Sequence, residues 1–193
     1  MKKIRFARGQ WADSSLVHVY SYRFDDRPVF VQEDDCIRNS PKIPNPAGPD
    51  DYDYITLLTK EKYEAGVTIG AAFSFEDLGA PLLVITDEII EDHGERRYGN
   101  YYDVVMYKDG VNVWKLWMQE DRKVVWHKLM GVKFPVTQGE RHTLRAKINR
   151  DTIEITADGR SMMLRVADLP ARFHVGLSGC EGINRFYEMT IDQ

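Results

Sequence analysis

A chain of 193 residues with 43% hydrophobic and 29% charged residues has ordinary globular composition, which excludes disorder and suits one well-buried domain over residues 1–193. Its 26 basic and 30 acidic residues leave a net charge of -4, without the basic excess that phosphate neutralisation needs, so no nucleic acid is expected as partner. No window approaches the roughly 20 apolar residues of a membrane span, and no membrane partner is expected.

The amino terminus, "MKKIRFARGQW", begins with basic residues, but no apolar run of signal-peptide length follows, so a cytoplasmic location is expected. Residues 39–53, "NSPKIPNPAGPDDYD", hold four of the eight prolines and read as a long irregular loop within the single domain. From Gly66 to Phe75, the apolar Val67, Ile69, Ala71, Phe73 and Phe75 alternate with Thr68, Gly70, Ala72 and Ser74, the period of a strand buried on one side. "DEIIEDHGERR", from Asp87 to Arg97, gathers carboxylates of the kind that calcium ligation uses. It lacks the Asp-x-Asp-x-Asp-Gly spacing, so a solvated acidic loop is expected; calcium has no specific motif here, and no cofactor or metal is assigned.

"VNVWKLWMQEDRKVVWHKL", residues 111 to 129, carries three of the four tryptophans. An Asp109-Gly110 turn predicts a hairpin pairing Met106 with Val113, Val104 with Lys115 and Tyr102 with Trp117. A second turn at Asp121-Arg122 predicts Trp117 facing Trp126 and Lys115 facing Lys128. One face then holds Tyr102, Val104, Met106, Lys115, Trp117, Gln119, Trp126 and Lys128. The other holds Val105, Trp114, Leu116, Met118, Val125 and Leu129, with Asp103, Tyr107, Asn112 and His127. The second face is the expected core wall, with Trp114 structural. The first mixes rings with lysines and an amide, the ingredients of a carbohydrate-binding floor on which sugar C–H faces stack. The plainer alternative buries Trp117 and Trp126 beneath a loop as a small second core, and a slip of one residue in register exchanges the two faces.

In "ERHTLRAKINRDTIEITADGRSMMLRV", from Glu140 to Val166, Leu144, Ala146 and Ile148 alternate with polar residues, then Ile153, Ile155 and Ala157. Asp158-Gly159 supplies a positive-φ turn, and Met162, Leu164 and Val166 continue the pattern on the return strand. "ARFHVGLSG" offers Phe173, Val175 and Leu177 as another alternating strand. Many short strands with almost no helical period predict an all-β sandwich or jelly roll. "GCEGINRF" turns into the last strand, and Glu181 and Arg185 are candidate ligand-binding residues at the end of a groove, against a plain turn with Glu181 at its tip. Cys36 and Cys180 lack CxxC spacing, exclude a zinc site, and are expected as reduced buried thiols. His18 and His174 lie on predicted strands and His142 at a strand start, with structural roles expected.

The Thr143–Val166 hairpin followed by "FHVGLSGCEGINRFYEMTID" resembles the end of the concanavalin A-like lectin/glucanase superfamily, which includes laminin-G-like domains. The similarity spans about Gln32 to Asp192. It implies two antiparallel sheets in a jelly roll, with a groove that often binds glycans, and first and last strands as neighbours, which would bring Cys36 towards Cys180. Members that cleave β-glucans carry a Glu-x-Asp-x-x-Glu strand. Here "EDDCIR" places Glu33 and Asp35 in the first two positions and Arg38 where the last glutamate belongs, which removes the candidate general acid.

Three functional readings follow. The first is a lectin-like protein that binds a carbohydrate or sugar-derived small molecule through Tyr102, Lys115, Trp117, Gln119, Trp126, Lys128, Glu181 and Arg185. The second is a glycan-active enzyme: a glycoside hydrolase using Glu33 and Asp35, or a polysaccharide lyase using Tyr102 and His127. The third is a protein-interaction module presenting the same aromatic face.

Overall fold

The computed structural model describes residues 1–12, 16–20, 30–39, 54–92, 95–118 and 124–193. In chain order the first strands are β1 (Lys2–Arg5), β2 (Leu16–Tyr20), β3 (Val31–Gln32), β4 (Ile37–Arg38), β5 (Tyr54–Thr59), β6 (Thr68–Glu76), β7 (Ala80–Thr86), β8 (Ile89–Asp92) and β9 (Glu95–Tyr98). They are followed by β10 (Tyr101–Tyr107), β11 (Gly110–Met118), β12 (Val124–Lys133), β13 (His142–Ile148), β14 (Thr152–Ala157), β15 (Arg160–Arg165), β16 (His174–Cys180) and β17 (Ile183–Asp192).

The first sheet runs β15-β14-β13-β6-β17-β4-β3, with β1 also paired to β17. The second runs β12-β11-β10-β7-β16-β5-β2, and β8 and β9 form a separate hairpin. The two sheets make the expected antiparallel sandwich. Alternation works as the sequence predicts on the first sheet: Ile69, Phe73, Leu144, Ala146 and Ile155 all enter the core between the sheets. The Asp158-Gly159 turn also forms as predicted, with φ of 45° and 78° and Ala157 paired to Arg160. Early strands lie beside the last one, β1 and β4 both pairing with β17. Five phenylalanines, Phe6, Phe73, Phe75, Phe173 and Phe186, are at most 1% exposed. Each such burial contributes about 1.5–3 kcal/mol.

The second sheet is apolar on both sides. In β7, Leu83 and Ile85 face the shared core, while Leu82 and Val84 join separate clusters on the outer side. Ile89 of β8 packs against the outer cluster of Val19, Leu58, Val84, Tyr101 and Leu116. The rest of the outer side forms a groove.

The β10–β11 hairpin corrects the expected register and faces. Its loop is Lys108–Asp109, one residue earlier than expected, so Tyr107 pairs with Gly110, Val104 with Val113 and Tyr102 with Lys115. Gly110 takes φ 132°, where a Cβ would lie 2.0 Å from the Val132 carbonyl oxygen. This two-residue shift keeps side-chain parity, yet the core and outer assignments are the reverse of those expected. Val111 and Val113 share a face with Val104 and Met106, and that aliphatic run enters the sealed core with Tyr102. Hydrophobic balance favours this arrangement, because the opposite face carries Asp103 and Asn112.

A β-bulge between β11 and β12 supplies the second correction. Val113 pairs with Met130, but Trp114 pairs with Lys128 and Leu116 with Trp126. Leu129 is the extra residue, and both Leu129 and Met130 pack on the core. From there to the strand's other end, every β12 side chain changes face relative to an unbroken ladder. Trp117 therefore faces Val125, and Trp126 shares a face with Trp114.

Candidate functional site

The structure divides the sequence-predicted residues among three places. On the first sheet, Glu33 of the β3–β4 turn accepts hydrogen bonds from Arg38 Nε (2.9 Å), Arg185 Nε (3.1 Å) and Cys36 Sγ (3.3 Å). Arg185 also donates to Glu76 from Nη1 at 2.9 Å. Burial works to raise Glu33, but these donors and the Arg185 charge outweigh it and hold the carboxyl below the usual range. The Cys36 thiol is pushed up to about 12 by burial and by the Glu33 carboxylate. Asp35 meets Arg141 Nη2 at 2.5 Å. Glu33, Asp35 and Arg185 are thus committed to ion pairs, apart from the groove of the second sheet. Cys180 ends β16 on the second sheet, and neither cysteine is in a disulfide.

A second place lies beside the β10–β11 hairpin, where Tyr102, Lys115, Trp117, Asp168, Asp87 and Asn100 border an open cavity of about 370 Å³. Tyr102 donates from its hydroxyl to Asp168 Oδ1 at 2.6 Å, and Lys115 pairs with Asp168 Oδ2. The Lys115 ammonium is also 5.7 Å from the Trp117 ring centroid and 5.9 Å from that of Tyr102. Hydrogen bonds from Lys115 and then Tyr102 hold Asp168 below the usual carboxylate range. Burial first, then the Asp168 bond, raises the Tyr102 phenol. Because the Asp168 side chain is 58% exposed, solvent screens the pair. Asp168→Ala is expected to cost no more than about 1 kcal/mol in urea unfolding. His127 is exposed, opposite Lys115 on β12. Gln119, like the Asp121-Arg122 turn and the segment 40–53 of the proline-rich loop, lies outside the described residues.

The third place is the groove on the outer side of the second sheet, about 640 Å³, lined by Asp103, Asn112, Trp114, Trp126 and Glu181 over an apolar floor of Leu82 and Val105. The two indoles meet edge to face, with centroids 6.4 Å apart and planes at 85°. Lys128, at the exposed side, places its ammonium 5.4 Å from the Trp114 centroid. Gly131 leaves room there, since a Cβ would come within 2.9 Å of Asn112 Oδ1 and 3.0 Å of Lys128 Cε.

Asp103 is the unusual member. It sits mid-strand, flanked across the sheet by Trp114 and Val84, and is 1% exposed. Its Oδ1 has no hydrogen-bond partner, and burial alone pushes the carboxyl well above the usual range. Burial also raises Glu181.

Glu181 is placed by a buried amide clamp. Asn39, 1% exposed, donates from Nδ2 to the carbonyls of Glu181 (3.0 Å) and Gly182 (3.1 Å) and accepts from the Asn184 amide at 2.6 Å. Asn184 Nδ2 donates in turn to the Cys180 and Glu181 carbonyls. The clamp holds Glu181 at φ 54°, beside Asp77 and Leu78 at φ 51° and 68° in the β6–β7 turn. Three non-glycine residues at positive φ at one end of a groove mark backbone held by its surroundings.

Of the sequence-predicted ligand residues, Trp126 and Glu181 line this groove and Lys128 reaches its Trp114 wall. Asp103, Asn112 and Trp114 enter it unforeseen. The signal for Asp103 was a lone carboxylate inside "YYDVVMY", an otherwise apolar and aromatic strand.

No protein-family model matches the chain, and no curated protein matches it by sequence. Solved structures do. The carbohydrate binding module CBM66 from Bacillus subtilis superposes with a TM-score of 0.64 at 14% identity, over 93% of this chain and 96% of that one. A Bacillus subtilis protein of unknown function with a galectin-like fold gives 0.66 at 9% identity, over 100% and 95%. A glycoside hydrolase family 16 endo-glucanase from Bacteroides ovatus gives 0.62 at 9% identity, over 99% of both chains. At such identities the likeness speaks for architecture alone, and in architecture this chain is a concanavalin A-like jelly roll.

Proposed function

We propose that the protein binds a carbohydrate in the groove on the outer side of its second sheet. The observation that carries this reading is the Trp114–Trp126 corner standing beside polar groups, Asp103, Asn112 and Glu181, over an apolar floor. Indole faces stack on the C–H faces of sugar rings, and a few convergent polar groups fix hydroxyls. The carbohydrate binding module and the endo-glucanase that share the fold lend support. The test is calorimetric titration of neutral and charged oligosaccharides into wild type and Trp114→Ala. The alanine variant is expected to lose about tenfold in affinity, the equivalent of about 1.4 kcal/mol; unchanged affinity would remove the groove from the reading.

A second reading rests on the presence of two carboxyls, Asp103 and Glu181, in one groove, the minimum for glycoside hydrolysis. It requires release of reducing ends from a bound oligosaccharide and loss of that release in Glu181→Gln. Binding without product decides for the first reading. Elution shifts only with a protein partner would decide for an interaction module.

A further inference from the structure

We propose that the groove selects a cationic sugar, a glycan bearing a free amino group, whose ammonium is seated against Asp103 and the corner formed by Trp114 and Trp126. This rests on the carbohydrate reading above and specifies the ligand class.

Three observations converge. First, Asp103 is a buried carboxyl facing the groove, with an oxygen, Oδ1, that has no hydrogen-bond partner among the described residues. Natural proteins rarely leave such a group unpaired unless a ligand completes it. Among the described residues no cation pairs with it, although Arg38, Lys115, Arg141 and Arg185 all hold carboxylates elsewhere.

Second, the indoles meet at 85°, so the corner presents a ring face, where the π-electron density lies. A cation within about 6 Å of an indole centroid is attracted to its face, most strongly when desolvated. The Trp114 face already attracts an ammonium in the structure, that of Lys128.

Third, the charged lining favours a cation. Asp103, Asp109 and Glu181 contribute three carboxyls, against the ammoniums of Lys108 and, at the Trp114 wall, Lys128. Lys128 approaches from the exposed side, where water and salt screen it; Asp103 has no such screening. Tyr107 and Cys180 complete the titratable groups around the groove.

The proton balance follows. Burial keeps the empty site's Asp103 carboxyl protonated well above the usual range. Docking an ammonium makes the carboxylate the favoured form, so the acid gives its proton to the buffer while the ligand's ammonium keeps its own. Binding of an amino sugar therefore releases up to one proton per site, and affinity rises with pH until the ligand amine itself begins to deprotonate.

The experiment compares three tetrasaccharides of β-1,4-linked units by calorimetry in two buffers of different ionisation enthalpy: glucosamine, N-acetylglucosamine and glucose. The expected result is that the glucosamine oligomer binds at least about tenfold tighter than either neutral one, with net proton release, and that Asp103→Asn abolishes both the preference and the release. Asp103→Asn is expected to be a folded and more stable protein, which thermal melting at the same pH verifies, so loss of preference is not loss of fold. Equal or weaker binding of the amino sugar, with a neutral oligomer still bound, overturns the cation assignment and leaves the carbohydrate reading intact. Binding of none of the three, nor of any oligosaccharide in the wider panel, overturns both.

Discussion

Asn39→Ala is expected to lower the unfolding free energy by about 3 kcal/mol and, on the carbohydrate reading, to weaken oligosaccharide binding as well, although Asn39 does not line the groove. Its side chain makes three hydrogen bonds from a buried position, two donated to the Glu181 and Gly182 carbonyls and one accepted from the Asn184 amide. Alanine removes these partners from the Gly182 carbonyl and the Asn184 amide and leaves the Glu181 carbonyl with Asn184 Nδ2 alone, and a buried group left unpaired costs about 1–3 kcal/mol before relaxation. Relaxation must come from the β16–β17 turn, which is the part that holds Glu181 at positive φ. Urea unfolding measures the first effect, and titration with a bound oligosaccharide measures the second. A loss below about 1 kcal/mol would mean that Asn184 alone holds the turn.

Asp103→Asn acts in the opposite direction and does so through pH. Burial raises this carboxyl, so the folded protein keeps the proton at pH values where the unfolded chain has released it. Below the ordinary carboxylate range both states are protonated and the residue costs least. As the pH rises from about 4 the unfolded state gains by ionising, and stability falls until the folded carboxyl itself ionises. Glu181, Asp109, Tyr107, Cys180, Lys108 and the more distant Lys128 are the titratable groups around it, and none offsets its burial. The amide removes the ionisation while keeping the shape. The variant is therefore expected to match wild type near pH 4 and to exceed it by about 2 kcal/mol near pH 8, read as diverging melting temperatures. Parallel stability curves across that range would show that Asp103 is not protonated in the fold. On the cation assignment proposed above, the same variant gains stability and loses ligand selection, a trade of the kind that stability and activity commonly make.

The architecture was legible in the sequence because strand period and turn chemistry agree over most of the first sheet. Phe73, Ala146 and Ile155 could face only one way, and Asp158-Gly159 could make only one kind of turn. The groove was less legible, for two physical reasons. The β10–β11 hairpin has apolar residues on both faces, so weighing Lys115, Trp117 and Gln119 without Val111 and Val113 tipped the balance the wrong way. The extra residue in β12 then changed the parity of Trp126 and Lys128, and no local composition announces a bulge of this kind, since Leu129 and Met130 are both ordinary core residues. Trp117 and Trp126 were expected side by side, yet lie on opposite faces. Glu33 and Asp35 carried a partial likeness to a catalytic motif, but the arginines that neutralise them come from positions 38, 141 and 185, a proximity only the fold creates.

The irregularity at Leu129 has an evolutionary reading. A gene one codon shorter at that point would turn Trp126 and Lys128 away from the groove while leaving the β10–β11 pairing untouched. Insertion or loss of a single codon is thus enough to create or erase half of the aromatic corner, while the pairings that hold the sheet together stay as they are.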